Sequence, residues 1–214
     1  MNRSPTTPQT VSQNTLAHYN REAESFWEGT KDHDVAQNYK ALLSNIVGEA
    51  PFTLLDFGCG PGRDLRYFTS LGHLAVGLDG AERFVEMARI NSGCEVLHQD
   101  FLALELPVSR FDGIFANAAL FHVPSADLPR VLRKLQNALK PGGVLFCSNP
   151  RGSNEEGWNG DRYGCYRDLD GWRGYLTAAG FMEICHYYRP EGLPRSQQPW
   201  LAMVMRKPPL TGAG

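Results

Sequence analysis
The sequence predicts an α/β fold: a doubly wound, seven-stranded, mostly parallel sheet with an antiparallel C-terminal hairpin and N-terminal cap helices. Three observations carry this. Short apolar runs ending in an acid recur, at Leu54-Leu55-Asp56, Val76-Gly77-Leu78-Asp79 and Val96-Leu97-His98-Gln99-Asp100, with helix-periodic stretches between them. The first run leads directly into a turn with glycine at Gly58, Gly60 and Gly62. The last two apolar runs, residues 181–188 and 200–205, are joined by a stretch without helical periodicity, so they pair as antiparallel neighbours.

The glycine turn is the centre of the chain. A strand, a glycine loop and a helix in succession build a nucleotide site at the carboxyl ends of the strands. Glycine lets this backbone take positive φ and come close to a ligand. The spacing then selects the ligand. A dinucleotide fingerprint needs its third glycine at position 63, where the chain has Arg63, and a P-loop needs a Gly-Lys-Ser/Thr ending that is absent. Asp56-Phe57-Gly58-Cys59-Gly60-Pro61-Gly62 resembles motif I of the class I S-adenosylmethionine-dependent methyltransferases. Taken alone, the same residues also suit a tight turn with no ligand.

The elements follow in order. Residues 1–14 are polar and without an apolar run, which suggests a disordered tail and no signal peptide. Residues 15–50 read as cap helices: Thr15 begins one that runs to Trp27, and Val35, Tyr39, Leu42, Leu43, Ile46 and Val47 form the apolar stripe of a second. Residues 51–206 form the core. After the glycine turn, a second strand ends at Asp79, about 17 residues past Gly62, where an acid accepts from ribose hydroxyls in this architecture. Asp79 also suits the cap of the helix that begins near Gly80, and its place beside the glycine loop favours the ribose. Asp100 and Phe101 after the third strand suit an adenine pocket, or else a turn acid and a core ring. The fourth strand ends at Asn117, and the fifth follows a helix over residues 126–140. Residues 149–167 show no apolar period and carry Arg151, Trp158, Arg162, Tyr163 and Tyr166, which suggests a functional segment without regular structure. A helix over 170–179 precedes the closing hairpin, and residues 207–214 read as a loose tail.

The assembled pattern is similar to the small soluble class I methyltransferases of the type-11 and type-25 kind, which have a Rossmann-like core. The matching pieces are the motif around Gly58, Val76-Gly77-Leu78-Asp79, Asp100-Phe101, Phe111-Asp112-Gly113-Ile114-Phe115 and Leu139-Lys140-Pro141-Gly142-Gly143. The resemblance implies S-adenosyl-L-methionine as cofactor, S-adenosyl-L-homocysteine as product, and no metal. It implies Asp56 and the Gly58-Cys59-Gly60 backbone near the methionine moiety, Asp79 with Gly80 at the ribose, Asp100 and Phe101 at adenine, and Asn117 by the sulfonium.

Composition narrows the acceptor. The chain has 214 residues, 42% hydrophobic and 21% charged, with a net charge of −2, so no basic footprint for nucleic acid is present. No apolar run reaches the roughly 18 residues of a membrane span. Five cysteines without a C-x-x-C pair suggest reduced thiols in a cytoplasmic protein. The expected partner is a small-molecule methyl acceptor, not nucleic acid or membrane. Methyl transfer needs near-attack geometry and a dry pocket, and a base only where the acceptor must lose a proton. His122, just past the fourth strand, is the candidate base, with a cap or cofactor-edge role as the plainer alternative. Tyr19, Trp27, Arg151, Trp158 and Tyr163 are the candidate acceptor-site residues, with arginine holding a carboxylate. An RNA or protein methyltransferase, and a non-catalytic cofactor-binding partner subunit, are the competing readings.

Overall fold
The computed structural model describes residues 7–209. The first helix, α1 (Pro8–Arg21), starts well before Thr15. Thr7 caps it by accepting from the Thr10 amide at 3.2 Å, and Pro8 supplies the φ of a first helical turn. Residues 8–14 therefore correct the expected disordered tail, and residues 1–6 lie outside the described residues. The polar composition misled because tertiary contacts along one narrow stripe hold α1, not a broad apolar face of its own. Thr15 is no cap. It is buried in mid-helix, where its hydroxyl accepts from the Tyr163 amide at 3.1 Å. α2 (Ala23–Thr30) and α3 (Ala36–Leu43) follow, and α3 ends before Val47, which is exposed.

The core alternates β1 (Thr53–Phe57), α4 (Arg63–Ser70), β2 (Leu74–Asp79), α5 (Glu82–Ser92), β3 (Glu95–His98), β4 (Phe111–Asn117), α6 (Leu128–Ala138) and β5 (Leu139–Pro150). It continues with β6 (Glu155–Asn159), β7 (Arg162–Tyr166), α7 (Leu169–Ala178), β8 (Met182–Arg189) and β9 (Trp200–Arg206). Among the described residues, seven strands form one sheet in the order β3-β2-β1-β4-β5-β9-β8. β1 to β5 are parallel, and β9 runs antiparallel to both β5 and β8. The expected doubly wound, mostly parallel sheet with its C-terminal antiparallel hairpin is the fold observed.

Strand alternation divides the core into two layers. Leu55, Ile114 and Leu145 face α6 and α7, where Leu132, Leu135 and Trp172 pack. Leu54, Phe115 and Phe146 face α3, α4 and α5, where Leu42, Leu65 and Val85 pack. Both faces are covered, as a parallel sheet requires.

Two further expectations are corrected. Residues 149–167 are not structureless: β6 and β7 form an antiparallel hairpin closed by Gly160 in a left-handed conformation. Its stability comes from Trp158 and Tyr163, which face each other across the strands with ring centroids 5.4 Å apart and pack with Val11 of α1. That contact joins two segments far apart in sequence, so no local apolar period announces it. At the other end, Lys207 is tied to the sheet, its amide donating to Gly143 O at 2.9 Å and its Nζ to Leu139 O at 2.7 Å. Residues 210–214 of the expected tail lie outside the described residues.

Candidate functional site
The glycine loop is fastened to the end of β2. Gly58 and Cys59 amides both donate to Leu78 O, at 2.8 and 3.1 Å. Gly58 has φ +76°, and a Cβ there would stand 2.5 Å from the Ala119 Cβ. Only glycine fits that approach. Asp79 completes the turn: Oδ2 accepts from the Gly60 amide at 3.0 Å and Oδ1 from the Ala81 amide at 2.9 Å. It thus joins the loop to the start of α5 while also lining the cavity described next. Burial raises its pKa to about 6, against these amide bonds, which lower it.

A cavity of about 540 Å³ lies over the loop, between the carboxyl ends of the strands and the cap helices. Its volume falls in the roughly 300–1,000 Å³ range of small-molecule sites. Gly58, Cys59, Gly60, Asp79, Asp100, Phe101 and Asn117 line it, and so do His122, Tyr19 and Trp27. Five expected site residues do not. Asp56 is buried beneath the loop with Oδ2 unpartnered, and burial with the nearby Asp64 raises its pKa well above the carboxylate range. Gly80 lies behind Asp79 and packs against Leu16 of α1. Arg151 is taken up elsewhere, donating to Arg195 O at 2.8 Å and lying over the Tyr188 ring. Trp158 and Tyr163 form the hairpin's packing pair, and Tyr163 acts on the site through its backbone.

That backbone contact defines His122. Nδ1 lies 2.6 Å from Tyr163 O, and Nε2 lies 2.8 Å from Tyr19 Oη. A carbonyl only accepts, so Nδ1 carries the proton, Nε2 is the acceptor, and the Tyr19 hydroxyl donates to it. Burial, with the Arg162 charge adding, lowers the His122 pKa to about 4. The ring is therefore neutral near pH 7, and its accepting nitrogen is already engaged. Of the two roles the sequence offered, candidate base and cap or cofactor-edge residue, the base would have to act through the Tyr19 hydroxyl that Nε2 already accepts from.

The rest of the wall was not legible as site residues. Ser12, Thr15 and Leu16 of α1 line the cavity beside the expected Tyr19, although the first of these fell in the expected tail. Phe26 and Phe84 pack on Tyr19 at centroid distances of 5.7 and 5.4 Å. Arg63 grips Asp64 through two bonds of 2.7 and 2.9 Å and donates to Thr30 O at 2.9 Å, tying α2 to the loop. Tyr39 donates to the same Asp64. Asn117 accepts from Asn38 Nδ2 at 3.0 Å, and Ala118 next to it has φ +59°, a strained value for a residue with a Cβ. Trp200, Phe121, Arg162 and Arg189 also line the cavity.

Residues 55–147 match the family model of the methyltransferase domain. The fold is that of the class I, S-adenosylmethionine-dependent methyltransferases. A malonyl-[acyl-carrier protein] O-methyltransferase from Erwinia pyrifoliae is 32% identical over 70% of this chain and 56% of its own length. A sterol 24-C-methyltransferase from Aspergillus fumigatus is 28% identical over 56% of this chain and 34% of its own length. The chain thus spans only part of these curated relatives. The crystal structure of Burkholderia thailandensis 1,6-didemethyltoxoflavin-N1-methyltransferase with its bound substrate and S-adenosylhomocysteine has a TM-score of 0.78 at 20% identity, covering 97% of this chain and 93% of that one. At that identity the likeness concerns the fold.

The geometry of the cavity fits such a cofactor. The loop leaves no room for a side chain at Gly58, the cavity is of ligand size, and Asp79 and Asp100 are among the four aspartates in its wall, with Asp34 and Asp64.

Proposed function
We propose that this chain transfers a methyl group from S-adenosyl-L-methionine to an N, O or S atom of a small acceptor. One observation carries the reading: the glycine loop, Asp79 and Asp100 all converge on a single cavity that α1 and α2 roof over. When bound, the sulfonium supplies a methyl group already activated for in-line displacement. Asp79 accepts from the ribose, Asp100 and Phe101 face adenine, and Asn117 and the Gly58-Cys59-Gly60 backbone stand toward the methionine moiety, with Asp56 behind them.

The chain's remaining task is placement and exclusion of water. Tyr19, Phe26 and Trp27 form an apolar roof. Neutral His122 holds the Tyr19 hydroxyl as a donor, which leaves the phenol oxygen's lone pairs directed elsewhere. A proton lost by the acceptor reaches Nε2 only by way of that hydroxyl. The charged contact expected at Arg151 passes to Arg162 and Arg189. Arg162 lies over the Tyr19 ring at 6.0 Å, and Arg189 donates to Asp34 O at 2.9 Å. A guanidinium has five N–H donors, so both keep donors for an anionic group such as a carboxylate.

The test is transfer of radiolabel. Protein is incubated with methyl-labelled S-adenosylmethionine and a cell extract separated into metabolite, protein and RNA fractions. Label is expected in the metabolite fraction. Label confined to RNA or protein would contradict the small-acceptor reading. The methyltransferase-like structure of the [4+2]-cyclase SpnF, with a TM-score of 0.68 and 18% identity, shows that this fold alone does not decide the reaction.

A further inference from the structure
The contact between α1 and Asp100 has a role of its own. Ser12 Oγ donates to Asp100 Oδ2 at 2.5 Å, and the Leu102 amide donates to Asp100 Oδ1 at 2.8 Å. Each oxygen of the carboxylate is therefore held by one donor, from two separate elements. A carboxylate has about four lone-pair sites, so this clamp leaves room for a further donor while fixing the plane of the group. Ser12 lies on the face of α1 that lines the cavity, one residue from buried Val11 and one helical turn from buried Thr15. Phe101, the next residue after Asp100, stacks on Phe57 at 4.2 Å and borders the glycine loop.

We infer that Ser12 is a positioning residue for cofactor recognition: it aims the Asp100 carboxylate at the exocyclic amine of adenine, so that α1 takes part in reading the base. This rests on the cofactor reading above. Without Ser12, Oδ2 has no donor from α1, and Asp100 is free to turn about its side-chain torsion toward solvent. The preference for a base bearing an amine then weakens, while affinity for the rest of the cofactor remains. A residue that merely held α1 in place would weaken every ligand alike.

The experiment is calorimetric titration with S-adenosylhomocysteine and with its analogue in which unsubstituted purine replaces adenine. The wild type is expected to prefer the adenine form by about tenfold, the weight of a hydrogen bond to a charged group. Ser12→Ala is expected to reduce that preference by about fivefold, with little change in affinity for the purine analogue, and Ser12→Thr is expected to restore it. Equal weakening of both ligands in Ser12→Ala, or an unchanged preference, would overturn the inference. Failure of the wild type to bind either ligand would instead remove the cofactor reading beneath it. Wild-type binding without preference for adenine would overturn the Ser12 role together with the Asp100–amine contact, and would leave the rest of the cofactor reading standing.

Discussion
His122 and Asp79 show how burial sets charge in this site. Both are pushed toward their neutral forms, but their effects on stability run in opposite directions. The His122 pKa falls from 6.5 to about 4, so below pH 6.5 the unfolded chain takes up a proton that the folded ring refuses. Its contribution to stability is present above pH 6.5 and is lost as pH falls toward 4. The Asp79 pKa rises from 3.8 to about 6, so the folded carboxyl takes up a proton first and acidification through that window favours folding. Replacing His122 removes one of these opposed effects. Thermal melts of His122→Asn are expected to lose less stability than wild type between pH 7 and pH 5. An equal or larger loss would mean that the imidazole charges freely in the fold. The sequence pointed to both residues, because each follows the end of a strand. The state of each was hidden, since Tyr163 O and Tyr19 Oη meet His122 from distant parts of the chain.

Among the elements, α1 is where local reading failed and tertiary structure decides. Its residues are polar, and the narrow stripe Val11, Ser12, Thr15, Leu16 and Tyr19 packs on segments more than sixty residues away. The β6–β7 hairpin was missed for the matching reason: it packs on α1, and neither looks like an element without the other. Thr15 joins them, its hydroxyl supplying the partner for the buried Tyr163 amide. Thr15→Val keeps the shape but orphans that amide, at an expected cost of about 1–3 kcal/mol in denaturant unfolding. Amide exchange across α1 is expected to quicken with it. An unchanged midpoint would show that α1 docks without this bond. The strands of the core were legible because each is a short, doubly buried apolar run, the pattern a parallel sheet imposes.

The whole molecule joins a readable core to a roof that is not readable. Gly58, Asp79, Asp100 and Asn117 stand where the strand–turn–helix pattern puts them, at the carboxyl ends of successive strands. The roof was legible only as aromatic content: Tyr19 and Trp27 do line the cavity, whereas Trp158 and Arg151 serve the hairpin and the Tyr188 surface. Side chains brought from one end of the chain to the other carry no spacing signal, so acceptor-side residues are the least legible part. The central claim is that this cavity holds the cofactor with Asp79 in its wall. Its most direct test is calorimetric titration of S-adenosylhomocysteine into the wild type and Asp79→Ala, with circular dichroism to confirm that the variant is folded. Micromolar binding by the wild type, lost in the folded variant, is the expected result. A wild type that does not bind, or a variant that binds equally well, would contradict it.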